Sequence, residues 1–167
     1  MNQVILILHN VRSTHNVGSL LRTADGLGVA KVFLTGYTPY PVHDRDSRMP
    51  HESAKINGKI RKTSLGAENY VSWEHAEDIF PVITSLQSEG FLVASLEQAT
   101  GSVSLDQFTP TAKMALIVGR EVEGIEANIL KSSDVVIEIP MRGHKESFNV
   151  AVAGAIALYV LTNSRKI

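Results

Sequence analysis

Apolar residues come in short blocks separated by polar turns, and the spacing inside each block predicts an element. Residues 4–8 form a continuous apolar run, as in a strand buried on both faces. Residues 16–27 carry Val17, Leu20, Leu21, Ala24 and Leu27 at helical spacing, with Gly28 as a stop. A second strand is predicted over 31–34. Residues 37–58 are polar, contain Pro39, Pro41 and Pro50, and read as a long loop of the kind that carries function. Beyond them the pattern predicts a short strand over 71–73 and a helix over 76–88 with Ile79, Val82, Ile83 and Leu86 on one side. Strands are expected over 91–96, 114–118 and 135–139, and a short helix over 125–131. Residues 148–161 are apolar almost all round, as in a helix covered on every side or packed on another subunit.

Strands alternating with helices predict an α/β fold with a mainly parallel sheet flanked by helices. The 167 residues suit one domain, 1–167. The last helix ends about where the chain does, so no appended RNA-binding domain is expected. The apolar fraction of 44% and charged fraction of 20% are ordinary for a globular chain. No apolar run is long enough for a membrane helix, and the first ten residues read as a strand rather than a leader. There is no cysteine, which removes disulfides, thiol nucleophiles and zinc–cysteine sites. By default these features place the protein in the cytoplasm.

Net charge is −1, which argues against a uniformly basic nucleic-acid binder. The charge is uneven, however. Between residues 43 and 62 lie Arg45, Arg48, Lys55, Lys59, Arg61 and Lys62 against Asp44, Asp46 and Glu52. This segment is either an ordinary solvated loop or a phosphate-contacting one.

Three predicted strand ends carry unusual polar residues, and ligands in parallel α/β sheets collect at strand carboxyl ends. After the first strand comes His9 to Gly18, leading to Arg22; after Val118 comes Gly119 to Gly124; after Ile139 comes Pro140 to Asn149. Each has a structural reading. Asn16 and Ser147 are good helix N-caps. Gly119 and Gly124 suit turns. Arg22 could be a surface charge, and Glu121 beside Arg120 could be a solvated pair. The six histidines lack the HxxxH and HExxH spacings, so no metal site is expected. No GxGxxG, GxSxG or Walker loop is present, which weakens dinucleotide, hydrolase and phosphate-loop readings.

Taken together, the segments NVRSTHNVGSLLRTADGLGV, ALIVGREVEGI and IEIPMRGHKESFNVAVAGAIALYVL resemble the three motifs of TrmH-type (SpoU) methyltransferases of the SPOUT class. The first matches an Asn-x-Gly-x-x-x-Arg pattern through Asn16, Gly18 and Arg22. The second matches Gly-x-Glu-x-x-Gly through Gly119, Glu121 and Gly124. The third matches Ile-Pro-Met followed by Ser-x-Asn through Ser147 and Asn149, with Phe148 where the family often has leucine. The likeness covers nearly the whole chain in family order.

That resemblance implies a SPOUT fold with a C-terminal deep trefoil knot, which periodicity cannot reveal. It implies an RNA 2′-O-ribose methyltransferase using S-adenosylmethionine, acting on tRNA more than rRNA, and a homodimer through the C-terminal helix. Leu96, Gly119, Ile139, Met141, Ser147 and Phe148 are implied as cofactor contacts. Arg22, Asn16, Glu121, Ser147 and Asn149 are implied as catalytic residues. Arg22, Arg45, Arg48, Lys59 and Arg61 are the expected RNA contacts. A base-methylating SPOUT enzyme and a non-catalytic RNA-binding module that kept the fold are the alternatives.

Overall fold

The computed structural model describes residues 2–163. Seven parallel strands form one sheet in the order β3-β2-β1-β6-β4-β7-β5. These are β1 (Gln3–His9), β2 (Lys31–Thr35), β3 (Trp73–Ala76), β4 (Leu92–Leu96), β5 (Val103–Ser104), β6 (Lys113–Val118) and β7 (Val135–Glu138). The helices are α1 (Thr14–Gly26), α2 (Pro50–Ser64), α3 (Ile79–Ser88), α4 (Ala127–Ser132) and α5 (Val150–Asn163). The parallel α/β expectation is met, and every paired strand among the described residues is parallel.

The strands are apolar on both faces because both faces are covered. In β1, Val4, Leu6 and Leu8 pack with α1, α2 and α5 through Leu20, Leu21, Ile60 and Leu158. Ile5 and Ile7 point the other way, onto Ile79, Ile83 and Leu86 of α3 and Ile129 of α4. The chain lays β2 and β3 to one side of β1. It then crosses to the other side, where β6 enters between β1 and β4, and β7 between β4 and β5. The strand order therefore reverses beside β1, β6 and β4, the place where a doubly wound sheet leaves a crevice at its carboxyl edge.

The predicted loop over 37–58 is corrected in its second half. Residues 50–64 form α2, with Pro50 at its first turn, Arg61 and Lys62 in its last, and Leu65 in the left-handed conformation at its end. The buried side of this helix is Ser53, Ile60 and Ser64. Two of those three are small and polar, so hydrophobic periodicity alone hides the helix. It lies close against α1 at Gly18, where a Cβ would sit 2.2 Å from Thr63 Oγ1 and 2.3 Å from the Ile60 carbonyl oxygen. The two-residue β5 is too short to leave a pattern. In α5, Gly154 similarly allows close contact with Leu20 of α1, 2.7 Å from where a Cβ would stand. The opposite face of α5 leaves Val152, Ile156 and Tyr159 exposed at 48%, 37% and 63%, one stripe at helical spacing.

Candidate active site

The carboxyl ends of β4, β6 and β7 enclose a crevice of about 320 Å³, the size range of small-molecule sites. Leu96 ends β4 and Glu97 follows it, Val118 ends β6 and Gly119 to Gly124 follow it, and Ile139, Ser147 and Phe148 follow β7. Its floor depends on missing side chains. A Cβ on Gly119 would lie 2.5 Å from Ile125 Cγ1, so only glycine lets the loop after β6 fold back this tightly. Gly124 closes that loop at φ 69°, with the Glu97 carboxylate where a Cβ would go. Glu97 accepts from the Ile125 amide at 2.9 Å and from the Gln98 amide at 2.9 Å. It thereby ties the loop after β4 to the loop after β6. The crevice lining is acidic: Glu97, Glu121, Glu123, Glu138 and Glu146 against Arg120 alone.

Beside the crevice, three distant segments meet through side chains. Asn16 Nδ2 donates to Glu121 Oε1 at 3.0 Å, and Asn149 Nδ2 donates to Asn16 Oδ1 at 3.2 Å. The Ser13 amide approaches the same Glu121 oxygen at 3.4 Å. Two capping expectations are corrected by this. Ser13 caps α1, its hydroxyl accepting from the Asn16 amide at 3.3 Å, which releases the Asn16 side chain for Glu121. At α5 the cap is Asn149, whose Oδ1 accepts from the Ala151 amide at 2.9 Å, while Ser147 is exposed and lines the crevice. Nor does Glu121 pair with Arg120: Arg120 lies 3.4 Å from Glu126.

Arg120, in the crevice lining, and Glu126 belong to a second network. His9 Nδ1 is 2.9 Å from Thr35 Oγ1, and its Nε2 is 2.9 Å from Asn10 Nδ2 and 3.5 Å from Glu126 Oε2. Burial lowers the His9 pKa, opposed by Glu126 and assisted by Arg120. Asn10, at φ 56°, donates to Glu126 Oε1 at 3.3 Å and accepts from the Tyr37 amide at 3.1 Å. The next cation along, Arg12, is fully exposed with its guanidinium carbon 5.7 Å from the Tyr37 ring centroid. Pairing with Tyr37 first, then the fields of Glu123 and Glu121, raise the Arg12 pKa. The sequence reading missed Glu97, Glu126, His9 and Arg12. The visible signal for Glu97, His9 and Arg12 was position alone, at or just beyond the carboxyl end of a predicted strand.

Of the expected cofactor contacts, Leu96, Gly119, Ile139, Ser147 and Phe148 line the crevice together; Met141 is half-buried and is not among the lining residues. Of the expected catalytic set, Glu121 and Ser147 line it, Asn16 bonds Glu121, and Asn149 bonds Asn16. Arg22 is exposed on α1 and does not line the crevice of its own chain. Among the expected RNA contacts, Arg45 and Lys59 are exposed, and Arg61 is exposed 3.8 Å from Glu68. Arg48 is the exception. Its guanidinium stacks 3.6 Å over the Tyr40 ring and donates to Asp46 and to the carbonyls of Tyr40 and Pro41, both at 3.0 Å. That bonding holds the Asp46 carboxyl far below the usual carboxylate range. Arg48 is thus a strut for the segment before α2, with its donors turned inward.

Residues 3–159 match the SpoU rRNA methylase family, and the chain belongs to it. It is 29% identical over 161 residues to a protein of Staphylococcus aureus (strain COL) placed in the TrmH family of tRNA/rRNA methyltransferases. That match covers 96% of this chain and 59% of the relative, so the chain spans about three-fifths of that protein's length. The AdoMet-bound rRNA methyltransferase from Sinorhizobium meliloti shares the fold at a TM-score of 0.77 and 21% identity, over 95% of this chain and 55% of that one. A structure described as giving insights into the 2-OH methylation of C/U34 on tRNA superposes at 0.75 with 24% identity, over 96% of this chain and 94% of that one.

Proposed function

We propose that this SpoU family member methylates a ribose 2′-hydroxyl of RNA with S-adenosylmethionine as donor, and that the RNA is a tRNA. One observation carries the reading: three strand ends converge on a glycine-floored crevice with the Asn16–Glu121–Asn149 chain at its side. The crevice suits this cofactor chemically. Its five carboxylates match a sulfonium and an ammonium charge, and Leu96, Ile139 and Phe148 give it an apolar wall for an adenine ring. The tRNA choice is supported by the tRNA-modifying neighbour of nearly the same length. The proposed setting is the cytoplasm.

When bound, the cofactor supplies an electrophilic methyl group. The protein's task is then alignment, and holding reactants in line is worth on the order of 7–11 kcal/mol. Leu96, Gly119, Ile139, Ser147 and Phe148 hold the donor in the crevice. Asn16 and the Ser13 amide fix Glu121, and Asn149 extends that chain toward α5. Arg22 stays protonated and so is not the base; it would hold an RNA phosphate and offset the alkoxide charge that develops as the hydroxyl proton passes to that phosphate or to water. Since Arg22 stands outside its own crevice, the proposal has a homodimer deliver it. α5 packs on α1, and the exposed stripe Val152, Ile156 and Tyr159 is the face on which a second copy would seat, bringing Arg22 to the partner's crevice. Lys59, Arg61 and Arg45 supply further phosphate contacts, and Arg48 is withdrawn from that set. The insertion of β6 and β7 between earlier strands is what a C-terminal trefoil knot would require.

Incubation with methyl-labelled cofactor and separated tRNA and rRNA pools, followed by mass spectrometry of nucleosides, tests the substrate. Label at a 2′-oxygen in tRNA is expected; label on a base, or in rRNA alone, sinks the corresponding half of the reading. Arg22→Ala should lose most turnover while binding the cofactor normally by calorimetry. Full turnover in that variant removes Arg22 from the mechanism.

A further inference from the structure

Tyr37 differs from the other rings near the sheet's carboxyl edge. Tyr40 is stacked against His75 at 4.0 Å and capped by Arg48 at 3.6 Å, and His43 meets Trp73 edge-on at 5.9 Å. Those rings are committed to one another. Tyr37 is 51% exposed, has no ring partner among the described residues, and has Arg12 beside it. Both residues are mounted on one rigid junction. Asn10 holds the Tyr37 amide, and Gly36 passes so near that a Cβ there would lie 2.1 Å from Asn10 Oδ1. Asn10 is in turn bonded to Glu126, just beyond the loop that floors the crevice. β1 and β2 are the next two strands after β6, and strand spacing alone offsets β2 from β6 by about 10 Å.

An exposed aromatic face with a guanidinium alongside is what single-stranded nucleic acid uses: bases stack on the ring and the cation takes a phosphate. Charge adds a reason. The crevice lining is acidic and would repel an RNA backbone, and Arg12 is the exposed cation on which the fields of Glu121 and Glu123 act. We propose that Arg12 and Tyr37 form a subsite for an unpaired nucleotide flanking the methylated one, Tyr37 stacking its base and Arg12 holding its phosphate. The subsite rests on the RNA reading above and adds to it a requirement for single-stranded character beside the target.

The test uses the whole chain and two fluorescein-labelled RNAs, a hairpin with an unpaired loop and a fully paired duplex, with binding read by anisotropy. Tyr37→Ala should weaken hairpin binding about tenfold and leave duplex binding unchanged, with Tyr37→Trp restoring it. Arg12→Ala should flatten the slope of log affinity against log salt by about 0.7 on the hairpin. The subsite is overturned by unchanged hairpin affinity in Tyr37→Ala, by equal losses on both RNAs, or by a wild-type chain that binds neither. A wild-type chain that binds the hairpin as expected but transfers no methyl group to either the tRNA or the rRNA pool overturns the methyltransferase reading and leaves Arg12 and Tyr37 standing as a site for an unpaired nucleotide.

Discussion

The two halves of the sheet's carboxyl edge are built from opposite materials. At β4, β6 and β7 the surface is shaped by backbone: Gly119 and Gly124 let a loop fold back, Glu97 stitches it, and the lining charge is negative. At β1, β2 and β3 it is shaped by long side chains: Arg12 beside Tyr37, Arg48 over Tyr40, and the exposed cations of α2. The first half suits a compact cationic ligand held closely. The second suits an extended polyanion met by side chains that reach outward. Between them stand Glu121, Asn16 and the His9–Glu126 network, where the two would have to be brought into register. A chain with net charge −1 can therefore present both characters, because its charge is divided by position.

The sharpest way to break this contrast is to give the first half a side chain. Gly119→Ala should destabilise the fold by roughly 1–3 kcal/mol and weaken cofactor binding by calorimetry, since the added methyl meets Ile125 and displaces the loop that floors the crevice. RNA binding should persist. If cofactor affinity is unchanged, the crevice floor is not where the ligand sits.

A smaller effect is expected at the junction. Glu121→Gln keeps the shape and one acceptor but removes the charge that Asn16 and the Ser13 amide share, so turnover should fall about tenfold, as for a weakened charge-assisted bond. Cofactor affinity should change less than turnover. The reverse pattern would make Glu121 a cofactor ligand rather than an orienting group.

The smallest concerns pH. His9 has its pKa lowered from the ordinary 6.5 by burial. Above pH 6.5 both folded and unfolded imidazoles are neutral and nothing changes. Below it the unfolded chain binds the proton first, so stability falls until the lowered folded value is reached, by at most about 1.4 kcal/mol per pH unit. Denaturant melts at about pH 7.5 and about pH 5.5 should show this slope, and His9→Gln should flatten it. An unchanged slope in the variant would mean that another group governs the acid side.

Much of the scaffold was legible in the chain. The strands read as apolar runs because both sheet faces are covered, α1 and α3 read from their periodicity, and α5 read from being apolar almost all round. The helix α2 was hidden because it packs through serines and through a close approach at Gly18 rather than through a greasy stripe. Its end signals, Pro50 and the late cations, were nonetheless present in the sequence. Nothing in a basic run tells which cation turns inward; the acceptors of Arg48 are two backbone carbonyls and Asp46, seen only when the segment is folded. Asn16 and Ser147 looked like caps because cap preference is local. Neighbouring residues took that role and left both side chains at the site.

The sequence by itself determined which segments line the crevice: local patterns of glycine, asparagine and glutamate after apolar runs are written in consecutive residues. It also determined that the sheet would be parallel, through the alternation of strands with helices. Only the tertiary structure decided which of those segments touch. Asn16 meets Glu121 across 105 positions of chain and Asn149 across 133. Such contacts are fixed by the order in which β6 and β7 enter the sheet, and no local preference of a residue encodes that order.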